Sequence, residues 1–573
     1  MRRSSRTFLP AVVSCIAILA TPAGAQTRAH VPDSLVDGAV GPRVDAYLRR
    51  LAPFGFSGNA VVAQHGKIVY AMGFGEADRE KHLLFTARTV VPTGSLVKPL
   101  TMLAILQLEQ AGKLRTTDSL GRFFRDAPPD KRGITIDQLL HHTSGLPIGI
   151  GMGDRAPLEK AEFLQRVFAA PLLFSPGERD EYSNAGYSLL AAIVEQATGA
   201  DFETAIRRTV LTPAGMTHTG WRTPAWGGAT LAHFYADDRD FGTMLDATKA
   251  QDGGINWNQR GNGGWLTTAE DLYRWHRALS GGTLLALSGR RKHEWTMGRD
   301  RMPNASAGLA GGNGIFETAI EYEPAADLFV FVHDNTGGPL AVPIAQTLAR
   351  IVRGESVPLP PTVVRADPVA LARVTGTYEL ASGGRLTLDT LRGALGVAAD
   401  GQDALDLLTG ADSSTRARRT AANARTDSIV RAWRSGDWSP MRAALGGALP
   451  LAEFARRQTG MRARFDSTLG PITGHAVLGS RRQGPAVMTG VRIDHERGTV
   501  YESYGWAGGS IVLFGIQEAP ARDRFLPESA TSFVSVDPRS GATVRLEARG
   551  DGTIVVHGAA GDVAGRRTGA PGT

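Results

Sequence analysis

The chain has 573 residues, and at about 150 residues per domain it is expected to fold as three or four domains. Apolar residues make up 42% of it and charged residues 21%, a balance that excludes disordered and collagen-like proteins. The net charge is +7, but the basic residues are scattered and form no aromatic-interleaved stripe, so we expect no nucleic-acid partner.

Residues 1–25 have the features of a secretory signal peptide. A basic start, Met1–Arg6, is followed by the apolar run Phe8–Ala20 and by a small-residue cleavage site, Ala23–Ala25. We therefore predict export to the periplasm or out of the cell, and subtracting the three leader arginines from +7 leaves +4. We predict no transmembrane segment, because this run and all later ones are shorter than the roughly 20 apolar residues that a spanning helix needs.

The single cysteine, Cys15, lies inside this leader. We therefore expect a mature chain without a disulfide, a thiol nucleophile or a cysteine metal site. The segment Val12–Cys15 also resembles a bacterial lipobox, which leaves open an alternative in which Cys15 is lipidated and anchors the protein. The small-residue site that follows favours cleavage without an anchor.

Residues 30–352 are predicted to form one domain in which strands and helices are mixed along the chain. Gly58–Tyr70 contains two β-rich runs around a glycine turn and predicts a hairpin. Pro99–Leu114 and Ala185–Gly199 have apolar residues at helical spacing and end at glycine-containing stops. Asp327–Asp334 is a short apolar run typical of a buried strand.

A proline-rich linker is predicted at residues 353–370. Residues 371–410 indicate a small β unit, residues 411–520 an α+β module, and residues 521–573 a β segment with a glycine-rich tail. This order favours a module inserted into one β unit, and its helices followed by strands resemble an NTF2-like cone. We expect its aromatic residues to pack in its core, with the lining of a pocket as the alternative: Trp433, Trp438, Tyr501, Tyr504 and Trp506.

The strongest functional motif is Ser95-Leu96-Val97-Lys98, at the start of a predicted helix. Residues three apart on a helix share a face, so the lysine nitrogen can reach the serine hydroxyl. A desolvated lysine has a lowered pKa and can accept the serine proton, while the helix N-terminus stabilises an oxyanion. Taken alone, such a tetrapeptide is more often an N-cap serine with an exposed lysine.

A second motif, Tyr182-Ser183-Asn184, lies in a predicted extended segment just before a helix. Alternate residues of an extended chain share a face, so Tyr182 and Asn184 are expected on one side. There the tyrosine can shuttle a proton and the asparagine amide can hold a substrate carbonyl. The alternative is a core tyrosine beside a capping asparagine.

Together these motifs resemble the serine β-lactamase and penicillin-binding-protein superfamily, and specifically the class C-like serine hydrolases that include D-alanyl-D-alanine carboxypeptidases and esterases. Ile134–Pro147, Phe174–Leu190 and Gly263–Trp275 extend the resemblance, which covers about residues 35–352. It implies an α/β (α+β) β-lactamase-like transpeptidase fold, in which helices flank an antiparallel sheet beside an all-helical subdomain. The small α+β and β units would follow.

The resemblance implies a role for each matching residue. Ser95 matches the acylated nucleophile, Lys98 its activating base, and Tyr182 the acid/base of acylation and deacylation. Asn184 matches a ligand of the substrate carbonyl. The two histidines of Ile134–Pro147 are expected to be structural, and no metal ion or organic cofactor is needed.

The third motif of the family, K-T-G or H-x-G on a strand lining the site, is where this chain departs. The best match is Gly308–Gly314, with Leu309 at the basic position and Gly311 among the substrate-binding residues. The Gly312 N–H is expected to pair with that of Ser95 in an oxyanion hole. The loss of the basic side chain disfavours substrates that carry a carboxylate, β-lactams and D-Ala-D-Ala termini alike.

The sequence therefore predicts an exported serine hydrolase that acts through an acyl-enzyme on an ester, peptide or amide, or β-lactam carbonyl. Its expected partner is a small-molecule or peptide acyl substrate, cell-wall fragments included, and the oligomeric state is left open. The alternative is a penicillin-binding-like binding or regulatory protein with little or no turnover, because its third motif is degraded.

Overall fold

The computed structural model describes residues 30–569, except 151–156, 237–238, 247–252, 286–306, 324–325, 338–339, 392, 410–412, 447–449, 484–485, 518, 538–540 and 559–560. The predicted leader and Cys15 lie outside the described residues. Among those that are described, none of the helices is both long and apolar enough to cross a membrane.

The first region runs to Val352 and contains strands and helices in mixed order. Its strands are β1 Leu35–Val36, β2 Gly58–Gln64, β3 Lys67–Phe74, β4 Glu76–Asp78, β5 Leu83–Leu84, β6 Val91–Pro92, β7 Tyr235–Ala236, β8 Arg239–Asp240, β9 Leu266–Thr267, β10 Ala307–Gly312, β11 Glu317–Glu323 and β12 Leu328–Asp334. Its helices are α1 Gly41–Leu51, α2 Val97–Gln110, α3 Leu120–Phe123, α4 Ile136–Leu140, α5 Lys160–Ala169, α6 Asn184–Thr198, α7 Phe202–Ile206, α8 Thr212–Ala214, α9 Ala269–Ser280 and α10 Ala341–Val352.

Six strands form one antiparallel sheet in the order β1-β3-β2-β12-β11-β10. Alternate residues of the central strand β12, such as Val330, pack against α1 and α10. On the other face, the Phe329 ring lies 5.2 Å from the Tyr273 ring of α9. Because helices cover both faces, β12 is buried along its whole length, which explains its unbroken apolar sequence.

The helices α2 and α6 pack against each other on one side of the sheet. Both are apolar on nearly all sides, and Ala185–Val194 of α6 is buried without interruption. A helix with this composition is stable only in the interior, so these two form the centre of the helical part. They correspond to the helices predicted at Pro99–Leu114 and Ala185–Gly199.

The C-terminal region is rich in β-strands. Its strands are β13 Gly376–Leu380, β14 Arg385–Leu391, β15 Ala394–Asp400, β16 Ile472–Gln483, β17 Ala486–His495, β18 Gly498–Ala507, β19 Ser510–Gln517, β20 Asp523–Pro527, β21 Ser532–Val536, β22 Thr543–Ala548, β23 Thr553–Gly558 and β24 Gly561–Gly569. Its helices are α11 Pro368–Val374, α12 Gln402–Thr409, α13 Arg416–Arg434, α14 Ser439–Ala444 and α15 Leu451–Leu469.

Eight of these strands close into a barrel, in which β13 pairs with the last strand, β24. The helix α12 falls inside a stretch that was expected to form strands, because Ala404, Leu407 and Leu408 are spaced to bury one helical face in the barrel core. Between β15 and β20 lies the inserted module, which we define as α13–α15 and β16–β19. Its four strands form a separate antiparallel sheet.

The aromatic residues of the inserted module mainly form its core. Trp433, Trp438, Tyr504 and Trp506 are buried in one apolar cluster, and Tyr501 is half-buried at its edge. The central sheet with its helices and the β-rich C-terminal region confirm the fold class expected from the sequence. The domain boundaries and the likeness of the module to an NTF2-like cone stay predictions.

Candidate active site

Ser95 lies in the turn that connects β6 to α2. The Thr93 N–H and hydroxyl both donate to the Trp265 carbonyl, at 2.8 and 2.9 Å, and so fix the end of β6. Gly94 has φ of +50°, and a Cβ at this position would lie 2.5 Å from the carbonyl carbon of Gly311. Position 94 therefore requires glycine, because the turn presses directly against β10.

The oxygen of Ser95 receives hydrogen bonds from residues of both predicted motifs. Lys98 Nζ donates to Ser95 Oγ at 3.1 Å, and the Tyr182 hydroxyl donates to it at 2.8 Å. Ser95 itself belongs to the 3-10 turn Gly94–Leu96, and α2 begins at Val97. The structure thus brings the candidate nucleophile, base and acid/base together around one atom.

Lys98 is buried, with 5% of its surface exposed. Its ammonium also donates to the Asn262 carbonyl at 2.9 Å. The same nitrogen lies 4.8 Å from the centre of the Tyr182 ring and 5.7 Å from that of Tyr187. A carbonyl dipole and two aromatic faces compensate for the burial of a cation, and they hold Nζ beside Ser95.

Asn262 is a site residue that the sequence motifs did not identify. Its loop turns at Gly261, which has φ of +80°, and the turn points the Asn262 carbonyl at Lys98. The Asn262 side-chain amide fixes the loop by donating to Ser188 Oγ at 2.9 Å and to the Asn258 carbonyl at 2.8 Å. The only signal in the sequence is the Gly-Asn-Gly-Gly run that contains it, which is typical of a tight turn.

Tyr182 is held in place by His142. Their ring centres are 4.5 Å apart, and His142 Nδ1 accepts a hydrogen bond from the Ser183 N–H at 3.0 Å. Burial and the nearby Lys98 ammonium lower the pKa of His142 to about 4, so the imidazole is neutral at neutral pH. His142 therefore positions Tyr182, in agreement with the structural role expected for it.

The phenol of Tyr182 is also neutral in the free protein. Although 43% of Tyr182 is exposed, desolvation raises the pKa of its phenol above the usual value of a tyrosine, and the hydrogen bond with Ser95 offsets this only in part. A neutral phenol is a proton donor, and it can deliver a proton that it regains from another group of the network.

A cavity of about 190 Å³ opens in front of Ser95. Glu317 is the only charged residue among the described residues that line it. A Cβ on Gly311 would lie 2.4 Å from Ser95 N, so the backbone of β10 touches the nucleophile turn. The lining consists of Ser95, Ala310, Gly311, Gly312, Gly314, Phe316 and Glu317.

Two predicted substrate-binding glycines, Gly311 and Gly312, thus line the cavity beside Ser95. Leu309 precedes them on β10, is half-buried, and lies outside the lining. Strand residues two apart share a face, so Leu309 and Gly311 are on the same side of β10. The assignment of Leu309 to the basic position of the family motif stays a prediction; the structure shows an apolar side chain on the Gly311 face of β10.

Asn184 differs from the expectation of an extended segment. Ser183 caps α6 by accepting a hydrogen bond from the Gly186 N–H at 3.1 Å, so Asn184 is the first helical residue. The Asn184 side chain is outside the cavity lining, and its Oδ1 is buried without a hydrogen-bond partner. The role predicted for Asn184, as a ligand of the substrate carbonyl, therefore stays a prediction.

Comparisons with known proteins place much of the chain in one family. The model of the Beta-lactamase family matches residues 54–351, slightly more than half of the chain. Penicillin-binding protein 4* of Bacillus subtilis is 33% identical over 171 residues, covering 29% of this chain and 38% of that protein. The esterase EstB of Burkholderia gladioli is 34% identical over 181 residues, covering 28% of this chain and 46% of that protein.

The chain thus spans less than half the length of either curated relative. Among solved structures, the octameric penicillin-binding protein homologue from Pyrococcus abyssi covers 91% of this chain and 99% of its own. Its sequence identity to this chain is 16% and its TM-score is 0.48.

Proposed function

The chain belongs to the Beta-lactamase family, and we propose that it is an exported serine hydrolase that works through a covalent acyl-enzyme. The observation that carries this proposal is the convergence of Lys98 Nζ and the Tyr182 hydroxyl on Ser95 Oγ, at 3.1 and 2.8 Å. A serine hydroxyl is a weak nucleophile until an adjacent base removes its proton, and both neighbours lie within reach of that proton.

In acylation, the Lys98 ammonium first gives a proton to solvent, and the neutral amine then accepts the Ser95 proton while Oγ forms a bond to the substrate carbonyl carbon. The phenol of Tyr182 gives its proton to the leaving group as the bond to that group breaks, and regains one from Lys98. The raised pKa of the phenol fits this role, because the group is protonated when the leaving group needs a proton.

In deacylation, water takes the position of the leaving group and attacks the acyl carbon. The same Lys98 and Tyr182 pair removes the water proton and returns a proton to Ser95 Oγ, which releases the acid product. The N–H groups of Ser95 and Gly312 are the proposed donors to the oxyanion in both steps. The contact of Gly311 with Ser95 N supports this arrangement, since it sets β10 directly against the nucleophile turn.

We propose that the substrate has a neutral acyl group, with esters and peptides ahead of β-lactams. Leu309 replaces the basic residue that would attract a carboxylate, and the lining of the cavity includes the acidic Glu317. A substrate carboxylate in this cavity would lose its water without gaining an opposite charge. Neutral fragments derived from the cell wall remain within this class.

The alternative is a binding or regulatory protein that is acylated slowly or not at all. The feature that favours it is β10, in which the basic position of the third motif is occupied by Leu309. The complete set of hydrogen bonds around Ser95 favours the enzyme instead.

A fluorophosphonate probe distinguishes the two functions. We expect intact-protein mass spectrometry to show one adduct on the wild-type chain and none on Ser95→Ala. Hydrolysis of a p-nitrophenyl ester, a D-Ala-D-Ala peptide and nitrocefin then ranks the substrates, and we expect the ester first. A folded wild-type protein that forms no adduct and turns over none of the three would favour the binding protein.

Export is proposed on the features of residues 1–25. N-terminal sequencing of the protein recovered from the periplasm or medium is expected to begin at Gln26. A protein that stays in the cytoplasm with Met1 intact would contradict export, and one that begins at a lipidated Cys15 would favour the anchored form.

A further inference from the structure

The inserted module reaches the cavity that contains Ser95. A Cβ built on Gly314, which lines that cavity, would lie 3.2 Å from Cδ1 of Leu513 on β19. Gly314 has φ of +88°, a conformation that favours glycine, so the loop after β10 contributes no side chain at this point. Leu513 is outside the cavity lining itself, but it approaches the lining residue Gly314 from the side of the inserted module.

A β-bulge turns two consecutive apolar side chains of β19 outwards. Trp506 pairs with Ile511 and Gly505 pairs with Leu513, so Val512 is an extra residue without a partner on β18. Val512 and Leu513 are 42% and 38% exposed, whereas Ile511 is buried. In a regular strand only one of two neighbours faces outwards, so the bulge enlarges the exposed apolar surface of β19 next to Leu513.

The position of β19 is set by contacts between the inserted module and the barrel. Arg492 of β17 donates to Asp400 at 2.8 Å, and Arg481 of β16 donates to Asp523 at 3.0 Å. These two ion pairs join the module to β15 and β20, the two barrel strands between which it is inserted.

The barrel is in turn packed against the first region. Phe54 lies in one buried cluster with Leu526 and Val534 of the barrel. The Val364 N–H also donates to the Pro527 carbonyl at 2.9 Å, which fixes the preceding linker. Packed contacts therefore lead from the first region through the barrel to β19, and they keep the bulge at the cavity.

We propose that Val512 and Leu513 form an apolar wall that binds the acyl chain of the substrate of Ser95, so that the inserted module selects esters with extended apolar acyl groups. This inference rests on the proposed function, because it names the substrate class of the same site. Burial of each methylene group against such a wall strengthens binding about fourfold. An acyl chain that gains two or three methylene contacts would thus be preferred over acetate by more than tenfold.

The test compares p-nitrophenyl octanoate with p-nitrophenyl acetate on the full chain. Leu513→Asn keeps the size of the side chain but makes the wall polar, and Leu513→Ala removes most of it. Leu451→Asn is the matched control, because Leu451 is 43% exposed and begins α15 of the same module. A short fluorophosphonate measures the reactivity of Ser95 independently of the acyl chain.

We expect the octanoate-to-acetate ratio of kcat/KM to fall at least tenfold in Leu513→Asn and at least threefold in Leu513→Ala. Leu451→Asn should keep the wild-type ratio, and all three variants should label Ser95 at the wild-type rate. An unchanged octanoate-to-acetate ratio in both Leu513 variants would contradict the proposal that Leu513 binds the acyl chain. An equal gain on both esters would also overturn it, because Leu513 would then be an obstruction. If the wild-type chain itself shows no label on Ser95, the proposed function fails, and this result is distinct from a failure of the apolar wall.

Discussion

The two sides of the cavity differ in how they are built. On the nucleophile side, the side chains of Ser95, Lys98 and Tyr182 form a hydrogen-bonded group supported by His142. On the opposite side, β10 presents mainly backbone, and its contact with Ser95 depends on the absence of a side chain at Gly311. One side is thus formed by polar side chains that converge on Ser95 Oγ, whereas the other is formed mainly by glycine backbone.

This difference suggests a division of roles, in which one side of the cavity carries out the reaction and the other selects the substrate. The side chains that would break the acyl bond are held by hydrogen bonds of 3.1 and 2.8 Å to Ser95 Oγ, and Lys98 is buried, so substitutions there should lower turnover on every substrate. The Leu309 side chain of β10 and the neighbouring β19 are expected to determine which molecules fit, so substitutions there should change the order of substrates, whereas the backbone of Gly311 and Gly312 supports the reaction. The four variants that follow test this division.

The largest effect is expected for Lys98→Met, which keeps the length of the side chain and removes the base. We expect kcat/KM for a p-nitrophenyl ester to fall about 10³-fold, within the range that a general base contributes. Lys160→Met is the control, since Lys160 pairs with Glu195 at 2.7 Å instead of contacting Ser95. More than a tenth of wild-type activity in Lys98→Met, measured by steady-state kinetics, would assign the base to another group.

A smaller but still large loss is expected for Gly311→Ala. The added methyl group would lie 2.4 Å from Ser95 N and 2.2 Å from the Thr93 carbonyl oxygen, so β10 and the nucleophile turn must separate. A displacement of this size costs about 10²-fold in rate. Stopped-flow labelling of Ser95 measures it, with Gly133→Ala as the control because no atom lies within 4 Å of the added methyl. Wild-type labelling of Gly311→Ala would place the backbone contact outside the reaction.

Leu309→Lys is expected to change the substrate preference rather than the reaction rate. A lysine on the Gly311 face of β10 can pair with a carboxylate, so kcat/KM for a D-Ala-D-Ala peptide should rise about tenfold. Leu309→Met controls for the length of the side chain, and a neutral ester should be hydrolysed equally by all three proteins. A loss on the ester as large as the change on the peptide would contradict the separation of the two sides.

The smallest effect concerns pH and the His142 ring. Its pKa is lowered from 6.5 to about 4 in the folded protein, so below pH 6.5 the unfolded chain binds the proton more readily. The wild-type chain should therefore lose about 1 kcal/mol of unfolding free energy through this residue between pH 7.5 and 5.5. In urea unfolding, the free energy of unfolding of His142→Asn should fall by about 1 kcal/mol less than that of the wild-type chain over the same pH range. Identical pH dependence in the two proteins would place His142 in a solvated environment.

The parts of the site that the sequence predicted are those set by local spacing. Ser95 and Lys98 are three residues apart at the start of α2, and one helical turn is enough to bring them together. The strand β12 and the helices α2 and α6 were predicted because their burial requires continuous apolar sequence. Neither argument depends on how distant segments pack.

The parts that were missed depend on contacts between distant segments. Asn262 holds Lys98 through a backbone carbonyl, which any residue possesses, so residue type alone could not identify it. Asn184 was placed in an extended segment because the capping geometry of Ser183 is decided by the fold. The bulge at Val512 has no sequence signature of its own, and its position beside Gly314 follows from the packing of the inserted module.

The chain leaves the barrel strand β15, forms α12 and then the inserted module, and returns at β20; these two strands are direct neighbours that pair at Leu395 and Phe525. The two ends of the segment that contains the module are therefore attached to adjacent strands, whereas a terminal domain is attached at one point only. Two adjacent tethers restrict rotation, so fewer orientations are lost when the module docks, and the entropic cost of docking is lower. Changes in the length of the loops within the module should accordingly be tolerated in evolution better than changes at its two junctions.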